Sequence, residues 1–168
     1  AIDLLYYWLR QESVDSILIV KKKSLINNWD NELQFHGNMN PIILNSDKSS
    51  NYEKMSLPGY IYLCNYEAIR GNTESFLEFL KFRNVGVILD ESTQIKTPSS
   101  KITNSLHLIA KEAKKRIIMT GTPLSNRPYD IWSQIYFLDF GERLGSNFDD
   151  FKEQYDLSNS LAKDYSGR

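Results

Sequence analysis

Asp90 and Glu91 form a pair of carboxylates directly after an apolar run, in the stretch VGVILDESTQIKTPSSK. A carboxylate at the end of a buried strand can bind a hard cation such as Mg²⁺, which prefers oxygen ligands and keeps several of its waters. A neighbouring carboxylate that points elsewhere can orient an attacking water, as nucleoside triphosphate hydrolysis requires. Acidic residues also begin many ordinary loops, so the pair by itself is equally compatible with a loop that has no catalytic role.

Two further polar segments follow apolar runs. The segment TGTP offers the hydroxyls of Thr120 and Thr122 around Gly121, whose missing Cβ permits close backbone approach. The segment KKKS offers the charge of Lys23, the hydroxyl of Ser24 and the free backbone N–H groups of a helix start. Together these groups suit a phosphate, including one in a nucleic-acid backbone. Taken separately, a Gly-Pro turn and a solvated basic turn explain these two segments better.

Short apolar runs alternate with amphipathic segments along the chain and predict strands separated by helices. Because the runs are apolar throughout, as in strands covered on both faces, we expect an α/β fold with a largely parallel sheet. In such a sheet ligands bind at the carboxyl ends of the strands, where KKKS, DEST and TGTP should meet. The predicted strands are residues 16–20, 41–44, 60–65, 85–89 and 117–119, and predicted helices begin near Ile2, Ser24, Thr73, Thr97, Pro128 and Phe148.

Local signals set some of these boundaries. Residues 45–56 are rich in Ser, Asn and Lys, so they are predicted to be a surface loop. Thr97 followed by Pro98 matches an N-cap and the first position of a helix. The helix from about Pro128 to Leu138 is apolar on most sides and should be deeply packed.

The composition narrows the possible classes of protein. The chain has 168 residues and a net charge of -1, so it fits one domain, and any nucleic-acid contact must come from a local patch. Cys64 is the only cysteine and His36 and His107 the only histidines, which excludes an internal disulfide and argues against structural zinc. The chain contains no apolar run of about 18 residues, so the sequence predicts no membrane span. Core packing is favoured over base stacking for Trp29 and Trp132.

The order and context of these segments resemble those of the Swi/Snf-type ATPases, which are helicase-related DNA translocases of helicase superfamily two. Motif Ia of that family is similar to LIVKKKSLINNW, motif II to VILDESTQIKTPSSK, and motif III with its continuation to RIIMTGTPLSNRPYDIWSQIYFLDFG. The segments YLCNYEAI and FKEQY match the family as well. The resemblance covers nearly the whole chain and implies a RecA-like three-layer α/β sandwich with a largely parallel sheet.

The resemblance also implies roles for the carboxylates and the hydroxyls. Asp90 would bind the Mg²⁺ that ATP carries, and Glu91 would polarise the hydrolytic water. Thr120, Gly121 and Thr122 would couple the state of the nucleotide to the grip on DNA.

Basic positions match the family too. Lys23 and Ser24 would contact the backbone of double-stranded DNA, while Lys96 and Arg127 match family positions without an assigned task. The family often has Asn where this chain has Thr97, and Ser92 stands where Ala is common. ATP would bind between this domain and a second RecA-like domain of the same parent chain.

A phosphate-cradling loop of the form G-x-x-x-x-G-K-[ST] is missing, since none of the eight glycines precedes a lysine. We therefore expect residues 1–168 to be a partial first RecA-like helicase ATP-binding domain, truncated at both ends and lacking its P-loop strand. We expect the parent to be an ATP-dependent DNA translocase and the isolated chain to be inactive.

Two alternatives stay open: a non-hydrolysing DNA-binding or scaffold module with a degenerate motor fold, and another superfamily-two helicase. The short motif spacing and the lack of a chromatin-reading module favour a cytoplasmic bacterial or phage parent over a nuclear eukaryotic one.

Overall fold

The strands of the chain form one parallel sheet in a computed structural model that describes residues 2–45, 47–124 and 127–155. Within those residues the order of the strands is β2-β3-β1-β4-β5, and every neighbouring pair is parallel. The expected α/β class is therefore confirmed, and the sheet is wholly parallel in the described part of the chain. The strands are β1 (Ser16–Lys21), β2 (Ile42–Ile43), β3 (Ile61–Asn65), β4 (Val85–Asp90) and β5 (Lys115–Met119).

Helices connect consecutive strands, as parallel strands require. Short 3₁₀ turns lie at or just after the KKKS, DEST and TGTP segments, at Lys23–Leu25, Ser92–Ile95 and Pro128–Ile131. Among the described residues, no helix is long and apolar enough to cross a membrane. The helices are α1 (Ile2–Arg10), α2 (Ile26–Gly37), α3 (Lys48–Ser56), α4 (Tyr66–Gly71), α5 (Thr73–Phe82), α6 (Lys101–Glu112), α7 (Trp132–Asp139) and α8 (Phe148–Tyr155).

Two hydrophobic cores cover the two faces of the sheet. Side chains alternate along β1, so Ile17 and Ile19 pack with Leu5 of α1 and Leu33 of α2. Leu18 and Val20 instead join the larger core, to which α4, α5, α6 and α7 contribute. Helices on both faces of a central sheet confirm the predicted three-layer sandwich.

The strand register brings the polar strand ends together at one edge of the sheet. Val20 of β1 pairs with Leu89 of β4, and Asp90 of β4 pairs with Met119 of β5. Lys21, Asp90 and the start of the TGTP segment therefore lie side by side. The prediction that these three strand ends meet is confirmed.

The strands at the edges of the described sheet are less buried than the central ones. In β5, Ile117, Ile118 and Met119 are half-buried, and both residues of β2 are half-buried as well. Every residue of β1 and of β3 is buried. The most stable part of the sheet is thus β3-β1-β4, which holds the candidate carboxylate pair in place.

The predicted loop at 45–56 is wrong for most of its length, because Lys48–Ser56 forms α3. The Asp47 side chain caps this helix by accepting the N–H of Ser49. Met55 packs into the larger core, and the buried Asn51 side chain bonds to the backbone of Asn45. Tertiary contacts therefore stabilise a helix that the polar composition did not indicate.

The predicted cap at Thr97 is also wrong, and the helix begins three residues later. Ser100 is the N-cap of α6, and its Oγ accepts the N–H of Thr103 over 3.1 Å. The start of α4 was not predicted from the sequence. Asn65 is the last residue of β3, and its side chain caps α4 by accepting the N–H of Ala68 over 2.7 Å.

The predicted helix from Pro128 divides into a 3₁₀ turn and α7. Its deep packing is confirmed on two sides, because Phe137 is buried in the larger core and Trp132 is buried against Tyr129 and Phe151 in a third cluster. Two polar residues of the same helix, Ser133 and Gln134, are also completely buried. A buried amide needs hydrogen-bond partners, and those of Gln134 lie at the candidate site.

Candidate active site

Asp90 ends β4, and two aromatic side chains fix it there. Trp29 of α2 donates its indole N–H to Oδ2 of Asp90 over 2.7 Å. Tyr66 of α4 donates its hydroxyl to the backbone carbonyl of Asp90 over 2.8 Å. Burial, followed by the nearby carboxylates, raises the pKa of Tyr66, so this donor stays protonated at neutral pH. The half-buried carboxylate is thus held at a defined place on the sheet edge.

Glu91 follows in a left-handed conformation, with φ 56° and ψ 55°. This region disfavours a residue with a Cβ and costs roughly 1–2 kcal/mol. The chain then enters the 3₁₀ turn Ser92–Ile95, in which the N–H of Gln94 bonds to the carbonyl of Glu91 over 3.1 Å. The strand β4 thus ends directly at Asp90, and Glu91 begins the loop that follows it.

Ser92 and Gln134 form a buried hydrogen-bond network behind Glu91. The hydroxyl of Ser92 donates to Oε1 of Gln134 over 2.7 Å. The amide nitrogen of Gln134 donates to the carbonyl of Pro123 over 3.0 Å and to that of Asp130 over 2.9 Å. Both amide protons and the amide oxygen therefore have partners, and the DEST and TGTP segments are joined through one side chain.

Lys21 is the last residue of β1 and is completely buried. Its ammonium lies 5.6 Å from the centre of the Trp29 ring and has no hydrogen-bond partner among the described residues. Burial lowers the pKa of Lys21 to about 8, against the attraction of Asp90, which raises it. A positive charge thus lies beneath the indole that holds the candidate metal ligand.

The TGTP segment is open to solvent at the same edge of the sheet. Gly121 and Thr122 are exposed, Thr120 is half-buried, and the N–H of Thr122 bonds to Oγ1 of Thr120 over 3.2 Å. Pro123 receives the bond from Gln134 described above. Asn126, part of the motif III resemblance, lies outside the described residues.

Lys23 and Ser24 are exposed in the 3₁₀ turn that leads directly into α2. No side chain caps this turn, so the predicted N-cap role of Ser24 is wrong. Both residues lie at the sheet edge that carries Asp90, but no hydrogen bond or ion pair among the described residues joins their side chains to its carboxylate. The structure thus separates an exposed basic turn from the carboxylate pair and links the two through Trp29 of α2.

Lys96 and Arg127 lie away from the carboxylates, around Tyr129. Lys96 Nζ is 3.7 Å from Oδ2 of Asp130. The cations of Arg127 and Lys152 each lie 5.5 Å from the centre of the Tyr129 ring. These residues line a surface cavity of about 630 Å³ that Asp90 and Glu91 do not line.

The carboxylate oxygens at the site suit one Mg²⁺ whose other ligands are waters and substrate phosphates. No group of three His, Cys, Asp or Glu residues converges within residues 2–45, 47–124 and 127–155. Asp90 keeps a second carboxylate oxygen, Oδ1, that is not used in the bond to Trp29. Because Mg²⁺ is commonly bound by one or two carboxylates, waters and substrate phosphates, a single aspartate suits this cation.

The family model for the SNF2-related domain matches residues 1–166. The chain belongs to the SNF2-related family. The resemblance to Swi/Snf-type ATPases is therefore confirmed over almost the whole length of the chain.

Individual relatives agree with this assignment. The chain is 31% identical over 157 residues to the DNA excision repair protein ERCC-6-like of Danio rerio. This alignment covers 86% of the chain and 10% of that protein. The chain is 24% identical over 174 residues to the DNA repair and recombination protein RAD54-like of Gallus gallus. That alignment covers 93% of the chain and 23% of the RAD54-like protein.

A solved structure has the same fold. The Sulfolobus solfataricus SWI2/SNF2 ATPase core in complex with dsDNA aligns with a TM-score of 0.71 and 26% identity, over 90% of this chain and 30% of that one. The chain thus spans less than a third of each of these matched proteins.

Sequence reasoning identified the carboxylates but missed the residues that hold them. The predicted core packing of Trp29 is confirmed, since it packs against the smaller core, but its indole N–H also donates to Asp90, which the sequence did not indicate. Tyr66 and Gln134 were not singled out. Gln134 had left one signal, because an amide within the apolar stretch IWSQIYFL requires a buried partner.

Proposed function

We propose that this SNF2-related chain is part of the first motor domain of an ATP-dependent translocase that moves on double-stranded DNA. The observation that carries the proposal is the arrangement of Asp90 and Glu91, held at the carboxyl edge of a parallel sheet. The family assignment supports it, as does the structural neighbour, an ATPase core in complex with dsDNA.

In the proposed reaction, Asp90 would hold the Mg²⁺ that the nucleotide carries, and Glu91 would orient and polarise the attacking water. When bound, this cation would supply the charge neutralisation on the phosphates that phosphoryl transfer requires. Trp29 restrains the Asp90 carboxylate, so the ligand is ordered before the nucleotide arrives. We infer that Thr120, Gly121 and Thr122 respond to the state of the nucleotide, through their connection to the DEST segment.

Lys23 and Ser24 are proposed to contact the DNA backbone, since both are exposed and the turn carries positive charge. Contacts of this kind set position and affinity without reading the base sequence. Hydrolysis is proposed to require the whole protein with its second RecA-like domain, because the 168 residues contain no glycine-lysine phosphate loop.

The test is DNA-stimulated ATP hydrolysis by the whole protein that contains this chain. Glu91→Gln keeps the size of the side chain but removes the base, so kcat should fall by about 10²–10⁴-fold while ATP still binds. Steady-state kinetics and nucleotide-binding titration measure the two effects separately.

Glu112→Gln is the matched control, because Glu112 is exposed at the end of α6 and precedes the opposite end of β5. That variant should retain the full rate. A wild-type protein that binds DNA without hydrolysing ATP would instead indicate the non-hydrolysing module, and an unchanged rate in Glu91→Gln would contradict the role of this residue.

A further inference from the structure

The residues on both sides of the left-handed Glu91 are held by hydrogen bonds. Asp90 is paired within the sheet opposite Met119, and its carbonyl accepts the hydroxyl of Tyr66. On the other side, Ser92 is completely buried and its hydroxyl is bound by Gln134. A non-glycine residue in this region of backbone space persists where its surroundings hold it there.

The amide of Gln134 has one possible orientation in this network. Its two N–H groups face the carbonyls of Pro123 and Asp130, which can only accept, and its oxygen faces the hydroxyl of Ser92. A flipped amide would place its oxygen against two carbonyl oxygens. The side chain therefore acts as a rigid link between the loop after β4 and the loop after β5.

We propose that Gln134 is a positioning residue for the hydrolysis of ATP. Through Ser92 it holds Glu91 in the conformation that orients the attacking water. Through Pro123 it ties that conformation to the Thr120–Thr122 segment, so a movement of one loop moves the other. This inference rests on the proposed function, in which Glu91 polarises the water.

Loss of the link has a specific kinetic consequence. Without the amide, the hydroxyl of Ser92 has no anchor, and Glu91 relaxes to a backbone conformation with negative φ. Its carboxylate then leaves the position at which it orients the water. Gln134 itself is buried away from solvent, so the affinity for ATP should stay unchanged.

The first variant is Gln134→Met in the whole protein, because methionine has a similar length and no amide. A displacement of about 1 Å at a catalytic group lowers the rate by roughly 100-fold, so we expect kcat to fall by about that factor. The KM for ATP and the Kd for DNA should stay within about threefold of the wild type. Thermal unfolding measured alongside reports the folded fraction.

Gln34→Met is the matched control for the substitution. Gln34 is exposed on α2, and its side-chain amide donates to Asp30 of the same helix over 2.8 Å. The Gln34→Met substitution should leave kcat unchanged. A comparable loss of kcat in the Gln34 and Gln134 variants would overturn the proposal.

The second variant, Ser92→Ala, removes only the hydroxyl and keeps the test decisive if the Gln134 variant does not fold. It should lower kcat with unchanged KM, and the double variant should lose no more than the more severe single one, because both residues act through one link. A crystal structure of Ser92→Ala should show Glu91 with negative φ.

A folded Ser92→Ala protein with wild-type kcat, or one in which Glu91 keeps φ near 56°, would overturn the role of Gln134. Additive losses in the double variant would overturn it as well. In these cases the wild type still hydrolyses ATP with DNA stimulation, so the proposed function stands. A wild type without such hydrolysis overturns the proposed function itself.

Discussion

At the scale of single residues, the candidate site combines an unfavourable backbone and an unfavourable charge. Glu91 adopts the left-handed region, and Lys21 places a buried ammonium beside Trp29 with no hydrogen-bond partner among the described residues. Strained backbone and buried titratable groups concentrate at functional sites, where the surrounding structure offsets their cost. Both features lie next to Asp90, since Glu91 follows it in the chain and Trp29, beside Lys21, donates to its carboxylate.

Lys21 gives the free energy of unfolding a pH dependence of known sign. Below about pH 8 the amine is charged in the folded and the unfolded chain, and the full cost of burying the charge is present. Between about pH 8 and its ordinary pKa of 10.5, the folded chain has released a proton that the unfolded chain still holds. The free energy of unfolding should therefore rise with pH across this interval.

Lys21→Met tests this account, because it keeps the length of the side chain and removes the charge. At pH 7 the variant should be more stable than the wild type by roughly 1–3 kcal/mol, and it should lack the alkaline rise due to this residue. Urea unfolding at several pH values measures both effects. Parallel pH profiles of the two proteins would show that Lys21 is not the cause.

At the scale of secondary structure, two helices hold the loop after β4 from opposite faces of the sheet. Trp29 reaches Asp90 from α2, which packs on the smaller core, and Gln134 reaches Ser92 from α7, which packs on the larger core. The 3₁₀ turn with Lys23 and Ser24 is continuous with α2. The exposed turn and the indole that holds Asp90 therefore belong to one continuous helical segment.

The start of α6 provides a direct test at this scale. Ser100→Ala should lower the free energy of unfolding by about 1 kcal/mol, because the N–H of Thr103 loses its acceptor. Thr97→Ala should change it by less than about 0.5 kcal/mol, since Thr97 lies outside the helix. Urea denaturation of both variants decides between the two caps, and a larger effect at Thr97 would contradict the observed helix start.

At the scale of the whole molecule, the described sheet has a stable centre and less buried edges. β1 pairs with β3 on one side and β4 on the other, whereas β5 and β2 each pair with one strand. Side chains of β1 and β3 are buried throughout, and those of β5 are at best half-buried. Asp90 thus ends a strand of the stable centre, whereas the TGTP segment follows β5, a less buried strand at the side of the sheet.

Amide hydrogen exchange measures this difference. Amides of β1, β3 and β4 should exchange through global unfolding, while those of β2 and β5 should exchange faster through local opening. Mass spectrometry of peptic fragments resolves the strands. Equal protection of β5 and β1 would show that β5 is covered to the same extent as the centre of the sheet.

The alternation of strands and helices and the meeting of three polar strand ends were predictable from the sequence. Apolar runs and turn signals act over a few residues, and parallel strands place their carboxyl ends at one edge. Local signals failed where tertiary contacts outweighed them. Met55 and Asn51 stabilise α3 within a polar stretch, and Ser100 rather than Thr97 caps α6.

The sequence by itself determined which carboxylates and hydroxyls the site contains, because residue type and position after a strand are local properties. Only the tertiary structure decided how those groups are held. Trp29 and Asp90 are 61 residues apart, and Ser92 and Gln134 are 42 apart, so no local pattern relates them. Folding brings each pair within hydrogen-bond distance, and these contacts hold the residues on both sides of Glu91.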